Sequence, residues 1–176
     1  MNLPQGAIDF LVYLAPSLLV FGTSYFLVKR FLDNEQKMKY AELKRTMDNN
    51  LLPLRLQAYE RIILFLERIS PNNLLSRVYE PGMNVLVFHK ELLLTIKTEY
   101  EHNITQQVYI TNAGWAIVRT SRDELIKLIN LSLGKCNPLS PGVELSKVIF
   151  ETMMAQEEYP IQNAIDQIKN EVHSLF

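Results

Sequence analysis

Cysteine is nearly missing from this sequence: Cys136 stands alone, so no disulfide can form within the chain. That fits a reducing compartment. Glycine is scarce, at six residues in 176, and few segments alternate apolar with polar positions. Both features weigh against an all-β architecture. Bases are absent from the first 28 residues, where Asp9 is the only charged side chain. No GxSxG, P-loop or Rossmann glycine pattern occurs, which removes the commonest nucleophile and nucleotide signatures. Cys136 lies in the turn GKCNPLSPG with no histidine near it in sequence, so it makes a poor candidate nucleophile.

All 18 Lys and Arg fall at or after Lys29 and face 18 acids there, so residues 29–176 are net neutral. Such a balance lacks the basic field that nucleic-acid binding requires. Within it, 29–45 holds six bases against three acids, a net of +3, and the remainder holds 12 against 15, a net of −3.

What the chain does have is a run of 19 residues without formal charge, Phe10–Val28, FLVYLAPSLLVFGTSYFLV. As a helix it would extend ~28 Å, close to the ~30 Å hydrocarbon core of a bilayer. Tyr13 and Tyr25 stand near its ends, at headgroup level, and Pro16 is tolerable in a membrane helix. The preceding MNLPQGAID lacks the basic start of a signal peptide, and no convincing cleavage site follows, so processing is not expected. Lys29 and Arg30 follow the run directly. The positive-inside rule then places the N-terminus outside and the C-terminal body in the cytoplasm. The basic stretch could also rest on anionic headgroups. Ala15 and Gly22, like Ser17 and Ser24, are seven apart, and read as a small-residue stripe where another helix could approach.

The expected organisation is an anchor over 1–32, a polar juxtamembrane helix or linker over 33–50, and an all-α body of five or six helices over 51–176. In 33–50, Tyr40, Leu43 and Met47 keep a 3-4 spacing too short to establish a coiled coil. Asp48-Asn49-Asn50 should weaken the helix and Pro53 should restart it. Leu54–Ile69 is the strongest amphipathic segment, with Ala58, Tyr59, Ile62, Phe65, Leu66 and Ile69 on one face. Arg55 interrupts that face, and Leu64 interrupts the polar one. Ser70-Pro71 opens a short helix, and Glu80-Pro81-Gly82 closes it. A long helix from about Met83 to Asn103 buries Val85, Leu92, Leu93, Ile96 and Tyr100, with His89 and Asn103 on the same face. Thr111 caps Asn112–Leu133, whose stripe is Trp115, Val118, Leu125, Ile126, Ile129 and Leu133, with Arg122 inside it. Residues 141–158 turn Val148, Ile149, Thr152 and Met153 inward, and a last helix after Pro160 buries Ile161, Ala164, Ile165, Ile168, Val172 and Leu175.

One pattern carries possible metal chemistry. Glu99-Tyr100-Glu101-His102 is a Glu-x-x-His sequence, of which di-iron bundles use two. The second is missing, because Asn170 stands three positions before His173. Arg55, His89, Asn103 and Arg122 lie in apolar stripes and need partners. Glu99, at the edge of its stripe, is the expected partner of Arg122. Arg122→Ala would then cost about 3–5 kcal/mol by stranding a carboxylate. The other reading makes these residues, with Leu64, a contact surface for another protein.

The runs LLPLRLQAYERIILFLERISPNNLLSRV (51–78), EYEHNITQQVYIT with Trp115 (99–115) and IQNAIDQIKNEVHSLF (161–176) resemble a family of short single-pass membrane proteins found mainly in Bacteroidetes. That family has no assigned activity, so the resemblance implies topology alone. The first functional expectation is a membrane-tethered, non-enzymatic interaction or scaffold module serving an inner-membrane assembly. It would need no cofactor or nucleic acid, and its partners would be the bilayer and a protein, which could be a second copy. The alternatives are a metal-binding protein or metalloenzyme built on Glu99 and His102, and a lipid-surface protein using the basic stretch.

Overall fold

A computed structural model describes residues 5–155 and 159–175; side chains 5–13, Ala15, Asp48 and Leu175 fall outside that description. Among the described residues the fold is all-α, with helices α1 (Gln5–Ile69), α2 (Pro71–Val78), α3 (Val85–Asn103), α4 (Asn112–Leu133), α5 (Gly142–Ala155) and α6 (Pro160–Leu175). The chain divides into two compact units, Met1–Leu51 and Leu52–Phe176.

In the first unit every described side chain is exposed, from Leu14 through Leu51. Thr23 Oγ1 donates to Leu19 O at 2.9 Å, and Lys39 bonds Glu35 at 3.2 Å, contacts that stay within one helix. Among the described residues, no helix is long and apolar enough to cross a membrane. The expected span begins at Phe10, so Phe10–Tyr13 and Ala15 lie outside the described side chains. The small residues do not form one stripe. At 100° per residue Ser17 and Ser24 share a face, while Gly22 stands about 140° from Ser17 and about 200° from Ser24.

Residues 33–50, expected as a polar helix or linker, are helical, and the helix runs on without the expected weakening at Asp48-Asn49-Asn50 or restart at Pro53, as far as Ile69. Asp and Asn cost only about 0.7 kcal/mol each relative to Ala in a helix. Pro53 removes one donor, but it is exposed, so water can satisfy the carbonyl it frees.

In the second unit, residues 58–69 of α1 place Ala58, Tyr59, Ile62, Phe65, Leu66 and Ile69 in the core, the face anticipated from periodicity. Leu64 is 56% exposed. Pro71 starts α2, but the Ser70 hydroxyl bonds back to Glu67 O at 2.7 Å and does not cap it. Asn84 caps α3 by accepting from Val87 N, and Thr111 caps α4 by accepting from Gly114 N. Residues Ile104–Val108 form a 3-10 turn between these helices. Helix α4 packs against α3, α5 and α6, and α3 packs against α2 and α5.

Several buried faces are rotated from their expected positions. Helix α3 buries Phe88 with Val85, Leu92, Ile96 and Asn103, leaving Leu93 and Tyr100 half-buried. Helix α4 buries Gly114, Ser121, Leu128 and Ser132 alongside Val118, Leu125 and Ile129, so Trp115, Ile126 and Leu133 move to the edge. Ser121 and Ser132 return their hydroxyls to Ile117 O and Leu128 O, both at 2.9 Å. Self-satisfied in this way, a serine packs as a small side chain and lets helices approach closely. In α5 the buried positions are Gly142, Leu145, Ile149 and Thr152. In α6, Ile161, Ala164, Ile165 and Ile168 are buried and Val172 is half-buried.

Backbones meet most closely where α5 begins. Asn84 and Pro141 form an isolated antiparallel bridge, and Gly142 N donates to Met83 O at 2.8 Å. A Cβ on Gly142 would lie 3.1 Å from Met83 O and 3.3 Å from Phe88 Cβ. Gly142→Ala should therefore destabilise the body by about 1–3 kcal/mol. Urea denaturation followed by circular dichroism measures this, and an unchanged midpoint would mean that the crossing relaxes without cost.

Candidate functional site

Three polar clusters tie the helices of the body together, and they redistribute the residues singled out from sequence. The first centres on Glu99, whose side chain is only 14% exposed. Its Oε1 accepts from Arg68 Nε at 2.9 Å, Arg68 Nη2 at 2.7 Å and Arg77 Nη1 at 2.8 Å. Arg77 Nη2 also donates to Arg68 O at 3.2 Å, so α1, α2 and α3 meet on one carboxylate. Asn103 Nδ2 donates to Glu99 O at 2.8 Å, explaining the polar residue on the inner face of α3.

Arg122 is not the partner of Glu99. Its Nε and Nη2 bond the adjacent Asp123 Oδ1 at 2.9 and 2.6 Å, and its guanidinium carbon lies 4.0 Å from the centre of the Tyr100 ring. Tyr100 stacks on Trp115 with centroids 5.6 Å apart and meets Phe65 at 6.1 Å. The expected bridge fails because α2 brings Arg77 to Glu99 while α1 brings Arg68, which fills the carboxylate. Arg122 instead places its guanidinium over the Tyr100 ring and bonds solvent-exposed Asp123, as a cation at the edge of an apolar stripe can.

The third cluster involves a residue that periodicity did not flag. Glu171 Oε1 accepts from Tyr59 Oη at 2.5 Å and from Thr111 Oγ1 at 2.7 Å, joining α1, α6 and the start of α4. A Cβ on Gly114 would stand 2.7 and 2.9 Å from the Glu171 oxygens, so glycine leaves the carboxylate room beside the first turn of α4. A negative group is favourable there. Arg55 Nε donates to Tyr109 O at 3.2 Å and its side chain also bonds Tyr59. The signal for Glu171 was present: it falls seven after Ala164 and three after Ile168, inside the buried stripe of α6. Burial, then the Glu171 hydrogen bond and charge, push the Tyr59 phenol above its usual value, against smaller opposing effects from Thr111 and Arg55.

The remaining candidates are accounted for locally. His89 Nε2 and Asn130 Oδ1 are 2.8 Å apart, tying α3 to α4. His102 is exposed, and Glu99 is engaged by two guanidiniums. Among the described residues no three His, Cys, Asp or Glu side chains are grouped as metal ligands. Burial, with Glu144 nearby, pushes the Cys136 thiol up, and its Sγ donates to Ser132 O at 3.3 Å. A cavity of about 110 Å³ is lined mainly by Pro71, Leu125, Leu128, Met153, Tyr159 and Ile161, a set without an acid–base pair. Among the described residues, no buried side-chain donor or acceptor lacks a partner.

The chain belongs to a family of unknown function, DUF7935, which matches residues 5–175. That span includes both the uncharged N-terminal run and the helical body. No curated protein and no solved structure matches the chain.

Two predictions separate these clusters. Glu99→Gln should lower the stability of the body by about 1–2 kcal/mol, since it leaves two partly exposed guanidiniums without a countercharge. Arg122→Ala should cost only about 0.5–1 kcal/mol, the scale of a cation–π contact whose charge is shared with an exposed Asp123. Denaturation midpoints of the two variants would reverse in order if Arg122 were the buried partner.

Tyr59 supplies a pH test. Its raised pKa means that the folded state holds the phenolic proton more tightly than the unfolded chain does. The associated stability is complete below the ordinary tyrosine value near 10 and is lost as pH rises through the folded value. Tyrosinate absorbance should show a late-titrating group that disappears in Tyr59→Phe and moves back toward the usual range in Glu171→Gln. A wild-type curve in which every tyrosine titrates together would refute the assignment.

Proposed function

We propose that this protein is a membrane-tethered, non-enzymatic helical interaction module, an accessory subunit of an inner-membrane assembly. In this reading Phe10–Val28 anchors the chain in the bilayer and the body works in the cytoplasm. The carrying observation is the apolar surface of the N-terminal run: Leu18, Leu19, Val20, Phe21, Phe26, Leu27 and Val28 are all more than half exposed. Burying a side chain of this kind is worth about 1.5–3 kcal/mol, so seven of them exposed to water would be a heavy cost.

A bilayer is the cover that suits the sequence. The apolar positions lie around the whole helix, as in a lipid-facing segment and unlike an amphipathic surface helix. The uncharged run starts at Phe10, ahead of the first described side chain, and its 19 residues match the hydrocarbon thickness. Thr23 returns its hydroxyl to Leu19 O and Val20 O, so that side chain needs no water. Lys29 and Arg30 end the run and favour a cytoplasmic C-terminus. The body supports the non-enzymatic part, because its strongest polar constellations are spent on holding helices together.

Alkaline carbonate extraction of native membranes should leave the full chain in the membrane pellet. A reporter fused after Phe176 should be active only in the cytoplasm. Release by carbonate would defeat the anchor, and an active alkaline-phosphatase fusion at that position would invert the orientation.

A further inference from the structure

The helical body contains a recess of about 110 Å³ that none of its polar clusters uses. Its floor is made of Pro71, Leu125, Leu128 and Ile161, all of them buried. Met153, half-buried near the end of α5, forms one wall. Exposed members of the lining, Asn72, Tyr159 and Gln162, mark the opening. Pro71 and Pro160, the first residues of α2 and α6, both line it as well. Proline has no N–H, so these two helix starts offer the recess fewer donors than an anion would need.

Size, charge and polarity set what the recess can hold. Protein interiors leave few voids larger than a water molecule, and an apolar cavity of ~150 Å³ stays dry and takes a benzene ring. None of the lining residues is charged, so an ionised ligand would lose hydration here without a countercharge. Ordered water needs several polar partners, and the floor has none to give. At the rim, the Ser70 hydroxyl is bonded to Glu67 O at 2.7 Å, and Gln162 Nε2 donates to Asp166 Oδ1 at 3.2 Å. Tyr159 and Asn72 place a phenol and an amide at the mouth, within reach of a ligand's polar end. The thioether of Met153 adapts its shape readily and packs well against aromatic rings.

We propose that this recess binds a small neutral molecule carrying one aromatic ring. The ring lies against Leu125, Leu128 and Ile161, and a polar substituent faces Tyr159 and Asn72 at the opening. The site is contained within the body, so it stands apart from the membrane anchor. Its lining holds a ligand and offers no acid–base pair to convert it.

The probe is p-cresol, and p-toluate, with a carboxylate in place of the hydroxyl, is its charged counterpart. The full chain in nanodiscs, labelled at its methionine methyl groups, reports the site by NMR through Met153. Met38 and Met47, both exposed, serve as internal controls. Protein-free nanodiscs titrated in parallel give the free probe concentration. The Met153 resonance should shift saturably with p-cresol while Met38 and Met47 do not saturate, and p-toluate should need at least about ten times the concentration. Leu128→Phe, which adds a ring to the floor, should abolish the saturable shift. Gln162→Trp, which covers the mouth from an exposed position, should do the same, and it decides alone if Leu128→Phe does not fold. No saturable shift at Met153, equal affinity for p-toluate, or binding unchanged in Gln162→Trp would each overturn the proposal. If the chain does not enter nanodiscs, the anchor fails, and the same titration in buffer still decides the site.

Discussion

Burying the α1 face from Ala58 to Ile69 is the constraint on which the helical body depends. Its six side chains belong to the same core as residues of every later helix, so that core cannot close without them. Each large member contributes about 1.5–3 kcal/mol on burial, making this segment the largest continuous apolar contribution from one helix. Apolar burial is non-directional, however, and does not by itself fix how a helix is rotated or how far it slides. Two carboxylates supply that information. Glu171 takes the Tyr59 hydroxyl near one end of the segment, and Glu99 takes the Arg68 guanidinium near the other. Directional bonds at both ends define register in a way that the intervening Ile and Leu contacts cannot.

The polar clusters therefore have a shared logic. Each acid comes from a later helix, α3 or α6, and reaches back to α1 while engaging a third element, α2 for Glu99 and the α4 cap for Glu171. One carboxylate oxygen serves several donors in each case, which keeps a partly buried charge satisfied with few groups. Gly114 belongs to this arrangement because any larger residue would press on the Glu171 carboxylate. Arg122 has a looser attachment. It covers Tyr100, and through it the Trp115 ring, with its charge left near solvent.

Periodicity made part of this legible and concealed the rest for identifiable reasons. The buried face of α1 after Ala58 and the extent of α4 could be read directly, since a 3.6-residue pattern and a Thr cap are local properties. The rotation of α4 could not, because Ser121 and Ser132 look polar until their hydroxyls are returned to the preceding turn. Pro53 signalled a helix restart, yet an exposed proline can be tolerated within a helix when both flanks continue it. Arg122 and Glu99 were each recognised as needing a partner. They do not pair with each other, because Arg68 and Arg77 reach Glu99 from α1 and α2, whose packing is set by tertiary structure and not by adjacency of long helices. Glu171 was overlooked as an acid on an otherwise amphipathic helix, although its phase with Ala164 and Ile168 marked it as inward-facing.

The distribution of satisfied and unsatisfied surface bears most directly on function. Within Leu52–Phe176, the acids, arginines and hydroxyls at helix crossings are committed to one another, and the aromatic rings are stacked or packed. Catalytic groups usually sit in clefts with strained or perturbed protonation. Tyr59, whose phenol is pushed up by burial and by Glu171, serves a structural hydrogen bond. Among the described residues of Met1–Leu51, the apolar side chains are exposed. One stretch is apolar around its circumference, and the next is polar with Tyr40, Leu43, Met47 and Leu51 on one face. The polar groups at the helix crossings are thus spent on the fold of the body, while a run of exposed apolar side chains lies along the first helix.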